Sequence, residues 1–232
     1  MNFSIIIPAR NEEGIIEATL RAIEAGIHKE HEVVVVNDHS NDNTAAIVGR
    51  LSQEYNNIRL VNNDDEPGFA NALKTGFNQA KTGILIPVMA DLCDDPDTIN
   101  KMYEKSREGF DIVCGSRYMR KGSKIGGPVL QSFFSRFVGK SLKYLVGIPT
   151  SDVSNSFKSY RKSLLDRIQI KSRGFEISME ITLKAYFSGA KITEIPTVWK
   201  GRFIGKSKFY LFKVAPKYIK LYLWAIFRNM AG

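Results

Sequence analysis

Three short runs of branched apolar residues constrain this chain more than any other feature. Ser4-Ile5-Ile6-Ile7-Pro8, Val33-Val34-Val35-Val36 and Ile84-Leu85-Ile86-Pro87-Val88 are apolar without alternation, the pattern of parallel strands buried on both faces. Each run then breaks into polar residues. Arg10-Asn11-Glu12-Glu13 follows the first, Asn37-Asp38-His39-Ser40-Asn41-Asp42-Asn43-Thr44 the second, and Asp91-Leu92-Cys93-Asp94-Asp95 the third. Between the first two, Ile15, Ile16, Leu20 and Ile23 recur at helical spacing and stop near Gly26. Two strands and a helix in about 30 residues make a βαβ unit. A second helix is predicted over 44–55, then a strand over 58–61. The three polar loops therefore open on one edge of a sheet, where ligands bind in open α/β folds. The predicted fold class is α/β, a mostly parallel sheet flanked by helices.

The third loop carries the most chemistry. Asp91, Asp94 and Asp95 place three carboxylates within five residues, an oxygen-rich set suited to Mg²⁺ or Mn²⁺ held against a phosphate. Asp94 and Asp95 have a second reading, as caps of a helix predicted from about Asp97 to Glu108. Cys93 has no second thiol or histidine at ligand spacing, which argues against zinc. No Gly-x-Gly-x-x-Gly follows the first strand, which disfavours a dinucleotide reader.

A chain of 232 residues with 44% hydrophobic content can bury one large core. Residues 1–210 are expected to form it, with 211–232 as an amphipathic C-terminal segment. Two cysteines, Cys93 and Cys114, are too few for a disulfide framework and favour a reducing compartment. Met1-Asn2-Phe3 leads straight into the first strand, so no signal peptide is read there. The net charge of +9 is concentrated late: Lys200, Arg202, Lys206, Lys208, Lys213, Lys217, Lys220 and Arg228 occur with no acid among them. On a helix, Lys213, Lys217 and Lys220 share one stripe, while Val214, Tyr218, Leu221, Tyr222 and Ala225 share another. A basic amphipathic helix of this kind fits an anionic membrane surface, with Leu221, Trp224 and Phe227 expected to insert. The alternative is a helix packed on the domain with a solvated lysine face. The run Leu221–Phe227 covers roughly 10 Å, too short for a hydrocarbon core of about 30 Å. Residues 128–146 form a second such segment, with Leu130, Phe133, Phe134, Phe137, Val138, Leu142 and Leu145 apolar and Arg136, Lys140 and Lys143 basic. The charge alone would admit a nucleic-acid binder, but no recognition motif is present and the acidic strand ends would repel a phosphate backbone. No nucleic-acid partner is expected.

Seven segments in order complete the reading: IPARNEE (7–13), NDHSNDNT (37–44), ADLCDDP (90–96), DIVCGSRY (111–118), SFKSYRKSLL (156–165), GFEISMEITLKA (174–185) and EIPTVWKGRFIGKSK (194–208). The set resembles family 2 glycosyltransferases of the GT-A fold, in particular the polyprenol-phosphate branch typified by dolichol-phosphate mannose synthase. The resemblance implies an inverting, metal-dependent enzyme that moves a hexose from a nucleotide-sugar, of GDP-mannose or UDP-glucose type, to a polyprenyl or dolichyl phosphate. It further implies a peripheral position on the cytoplasmic face of a membrane. By the resemblance, Pro8, Arg10, Asn11 and Glu12 form the first donor loop, Asp38 reads the base, and Asp91 is the principal metal ligand, with Asp94 a candidate second. Arg117, Ser135, Arg202 and Lys208 hold donor or acceptor phosphate; Lys206, a cation of the same loop, is a further candidate for the acceptor phosphate on its charge. Met89 stands where the family usually has a further aspartate, Cys93 where glutamine is frequent, Asn37 for aspartate, and Gln131 for an arginine at the lipid phosphate. Asp152-Val153-Ser154-Asn155-Ser156 replaces a more usual Asp-x-Thr-Ser-Gly. Glu180, spaced i, i+4 from Glu176, is the candidate base for the alternative in which the acceptor is a sugar or lipid hydroxyl.

Overall fold

The structure is a computed structural model that describes residues 1–120, 123–201 and 211–230. In chain order the elements are β1 (Phe3–Ala9), α1 (Ile16–Gly26), β2 (His31–Asn37), α2 (Thr44–Glu54), β3 (Ile58–Asn62), α3 (Phe69–Gln79), β4 (Ile84–Pro87), α4 (Pro96–Arg107) and β5 (Ile112–Ser116). There follow β6 (Lys124–Ile125), α5 (Val129–Leu145), β7 (Lys158–Arg161), α6 (Lys162–Leu165), α7 (Ile177–Phe187), β8 (Ile192–Pro196), β9 (Trp199–Lys200) and α8 (Leu211–Met230).

The main sheet runs β3-β2-β1-β4-β7-β5-β8. All neighbours are parallel except β7, which is antiparallel to both β4 and β5. The branched runs supply both faces. Ile5, Ile7, Val33 and Val35 turn towards α1, α2 and α4; Ile6, Val34 and Val36 turn towards α3 and α7. β1 and β2 pair in register from Phe3 with His31 to Ala9 with Asn37. The polar loops that follow β1, β2 and β4 therefore leave the same edge together, as the sequence predicts.

A third cluster joins α5, α7 and α8 through Leu142, Val146, Met179, Leu183 and Ala225. α5 presses close to the loop after it: a Cβ at Gly139 would overlap the Ser151 carbonyl. The expected lipid-facing set on α8 needs correcting here. Leu221 and Trp224 pack inward against this cluster, Trp224 edge-on to Phe187 at 5.4 Å, because α8 has to seal α7. Of the expected set Phe227 stays exposed, together with Ile219, Leu223 and Met230. No helix of the described residues is long and apolar enough to cross a membrane.

Candidate active site

The first two loops are laced into one rim. Asn11, at φ +53°, accepts from the Asn41 N–H at 2.8 Å, and its own N–H donates to Ser40 Oγ at 3.1 Å. The Glu12 N–H donates to Thr44 Oγ1 at 2.8 Å, and Glu13 accepts from the Asn43 N–H at 3.0 Å. Pro8 lies opposite Val36, one residue before the end of β1, and Arg10 sits half-exposed at the lip. Asp38 is buried and accepts from Asn63 Nδ2 at 2.8 Å and from the Gly68 N–H, 3.0 Å from each oxygen. It thus fixes the β3–α3 turn. Three acceptances leave room on a carboxylate for one more donor, such as a base N–H.

The acidic loop folds back on itself. Asp91 is half-exposed and takes the Cys93 N–H at 3.2 Å; Leu92 between them has φ +58°. Asp94 turns inward, 8% exposed, and accepts the Met89 N–H at 3.1 Å. Burial pushes the Asp94 carboxyl up to about 7, with the charge of Asp91 pushing the same way and Arg117 opposing. Asp95 occupies the N-cap of α4, where Thr98 Oγ1 donates to it at 2.8 Å. Of the two capping candidates, only Asp95 takes that position.

This donor set fits a hard divalent cation, which would neutralise two adjacent carboxylates, one of them driven towards protonation by burial. Among the described residues no group of three or more His, Cys, Asp or Glu could hold a metal. Further ligands would have to come from substrate phosphate and water.

Beyond β5 lies a cationic anchor. The Arg117 guanidinium meets Asp152 in a fork, Nε to Oδ2 and Nη2 to Oδ1 both at 2.8 Å, and its backbone N–H adds a third bond at 3.0 Å. Asp152 is fully buried, and its charge holds the Arg117 proton firmly. Nη2 also donates to Ser135 Oγ at 3.2 Å, and Ser135 meets Ser154 at 2.8 Å. Arg117 and Ser135 are therefore brought together. Asp152, which holds them, is the positioning residue that sequence reading passed over. Arg202, Lys206 and Lys208 lie outside the described residues.

The model described as glycosyl transferase family 2 matches residues 4–169, more than half of the chain. The chain belongs to glycosyl transferase family 2. Among curated relatives, it is 30% identical to a dolichol-phosphate mannosyltransferase of Pyrococcus furiosus over 99% of this chain, of which it spans 64% of the length. It is 23% identical to a polyprenol monophosphomannose synthase of Mycolicibacterium smegmatis, covering 96% of this chain and 86% of that one. Among solved structures, glucosyl-3-phosphoglycerate synthase from Mycobacterium tuberculosis, in complex with Mn²⁺, UDP and glucosyl-3-phosphoglycerate, superposes with a TM-score of 0.74 at 16% identity. That match covers 97% of this chain and 79% of the other. It carries the fold, the GT-A arrangement of a mostly parallel sheet between helices.

Glu180 has a different position from that expected of a base. In this family 2 chain its carboxylate is buried in α7 and accepts the Lys171 N–H at 3.0 Å, the Ser172 N–H at 2.7 Å and Lys184 Nζ at 2.5 Å. Although burial opposes it, these donors hold its pKa below the usual range. Its contribution to stability is therefore present at neutral pH and lost as pH falls through that lowered value. Glu180→Gln is expected to remove about 1.5–3 kcal/mol of stability, read as a lower Tm. Loss of a base would instead cost about 10²–10⁴-fold in turnover; a drop of that size in folded protein would restore the base assignment. Glu176 pairs with Lys217 of α8 at 3.7 Å.

Proposed function

We propose that this family 2 glycosyltransferase moves a hexose from a nucleotide-sugar to a polyprenyl phosphate at an anionic membrane surface, inverting the anomeric carbon. One observation carries the reading: the Arg117–Ser135 anion anchor adjoins a helix whose outer surface is apolar. On α5, Leu130, Phe133, Phe134 and Phe137 are all exposed, Phe133 by 65%. Large contiguous apolar exposure marks a lipid or partner surface, and a lipid phosphate has this division into an anionic head and an apolar tail. The names of the two curated relatives support the same class of acceptor.

The chemistry follows from charge. Glycosyl transfer passes through an oxocarbenium-like transition state, while negative charge builds on the departing diphosphate. Asp91, with Asp94 behind it, would hold Mg²⁺ or Mn²⁺ that neutralises this charge. Pro8, Arg10, Asn11, Glu12 and Asp38 form the rim that orients the nucleotide. Arg202 and Lys208 are assigned to the donor phosphates on the resemblance, and Lys206 to the acceptor as a cation of the same loop. Arg117 and Ser135 orient the acceptor phosphate. A phosphate monoester, with a second pKa of about 6, is mostly dianionic at pH 7 and attacks without a base. This agrees with a buried, fully engaged Glu180.

Membrane contact rests on α5 and on Ile219, Leu223, Phe227 and Met230 of α8, with Lys213, Lys217 and Lys220 exposed beside them. Lysines near an anionic surface contribute about 1 kcal/mol each and are screened by salt; buried apolar groups are not. Binding to anionic liposomes should therefore weaken with salt without vanishing. Phe133→Ser with Phe137→Ser should reduce the salt-resistant part and raise the KM for a long-chain prenyl phosphate more than for a short one. Equal effects on both acceptors, or a wild-type protein that ignores liposomes, would refute the lipid surface. Point variants serve better than removal of α8, which would strip Ala225 and Trp224 from the third cluster.

A further inference from the structure

The geometry points to Lys124 as a second cation of the acceptor-phosphate site, gripping the phosphomonoester together with Arg117 across the serine face of α5. The inference rests on the acceptor reading above and names a residue of this chain that neither motif nor family match assigns.

Lys124 lies in β6, a two-residue strand held parallel to β9. The Trp199 N–H donates to Ser123 O and the Gly201 N–H to Ile125 O, both at 2.8 Å. Trp199 packs so closely on the following turn that a Cβ at Gly127, where φ is +81°, would lie 2.9 Å from its ring. This frame aims the lysine. Nζ stands 5.0 Å from the centroid of the Trp199 ring and donates to Ser132 Oγ, which donates in turn to Pro128 O at 2.8 Å.

Ser132 and Ser135 are three residues apart on α5, hence neighbours about 5–6 Å apart on one face. Lys124 engages the first and Arg117 the second, so two cations flank one pair of serines. Tyr118 adjoins the pair, its hydroxyl donating to Ser132 O at 3.3 Å. Asp152 is committed to Arg117, and among the described residues no carboxylate forms a salt bridge with Lys124. Burial lowers the lysine pKa to about 8, with Arg117 adding to the shift and Asp152 opposing it. Two cations with one carboxylate between them leave an excess of positive charge among the described residues, which a dianionic ligand would complete.

The test compares wild type, Lys124→Gln and Lys124→Arg in turnover of a short-chain prenyl phosphate. Direct titration of that phosphate is followed by tryptophan emission, since the ring of Trp199 touches Lys124. Lys124→Gln should raise acceptor KM and Kd at least about tenfold, about 1.4 kcal/mol, with donor KM and kcat held within about twofold. Wild-type acceptor KM should climb from about pH 7 to about pH 9.5 as the lysine loses its proton, and Lys124→Arg should flatten that climb. Unchanged acceptor binding in Lys124→Gln, or a rise in donor KM instead, overturns the Lys124 assignment and leaves the acceptor reading standing. A wild-type protein that binds no prenyl phosphate in the titration overturns both.

Discussion

Asp152→Ala should destabilise the protein by about 3–5 kcal/mol, because it strands the buried Arg117 charge without its partner. Thermal unfolding should fall by roughly 10 °C for a chain of this size. The reason is local. Asp152 is fully buried and takes three bonds from Arg117. Asp152→Asn should cost less, since it keeps the shape and part of the hydrogen bonding. Pairing Arg117→Met with Asp152→Ala should recover most of the stability, as removal of a whole buried ion pair is often nearly neutral. It should not recover turnover, because Arg117 is the group we propose to meet the acceptor phosphate. A double variant as active as wild type would show that the fork serves the fold alone. An Asp152→Ala protein with wild-type Tm would show that the pair does not form.

Asp91→Ala is expected to lower kcat/KM by about 10²–10³-fold, the range for loss of one preorganised electrostatic contact to a developing charge. Asp91 faces the cleft half-exposed, whereas Asp94 lies behind it on the Met89 amide. Asp94→Asn mimics the protonated form that burial already favours near neutral pH, so its effect should be smaller, under about tenfold. Chelation should stop wild-type turnover, and added Mn²⁺ or Mg²⁺ should restore it. Full activity in chelator, or Asp94→Asn more damaging than Asp91→Ala, would move the centre of the reaction away from Asp91.

Much of this was legible in the chain because the relevant signals are local. Unbroken runs such as Val33–Val36 can be little else than two-sided buried strands, and acids directly after them fall at the ligand edge by topology alone. Helix limits were read to within one or two residues, as over 44–55 against Thr44–Glu54. The features that escaped are those set by distant partners. Lys158-Ser159-Tyr160-Arg161 has no apolar run to mark a strand, yet β7 is a central strand. Lys158 is fully buried there because its ammonium donates to the carbonyls of Val153 and Asn155, and so steadies the segment that carries Asp152. Glu180 read as a base from its spacing to Glu176. Only the folded chain shows the Lys171 and Ser172 amides converging on it. Leu221 and Trp224 read as lipid-facing because the helical pattern cannot say which apolar stripe α7 will cover. Lys124 had no signal beyond its setting among glycines, since its role arises from a two-residue pairing with Trp199.

The most direct test is a screen of nucleotide-sugar donors against a short polyprenyl phosphate, its parent alcohol and soluble sugars, reading nucleoside diphosphate release together with the glycosylated product. The expected result is release that depends on the prenyl phosphate, matches glycosyl-phosphoprenol formation one to one, and is absent with the alcohol. Transfer to the alcohol or to a soluble sugar hydroxyl, with the prenyl phosphate inert, would contradict it.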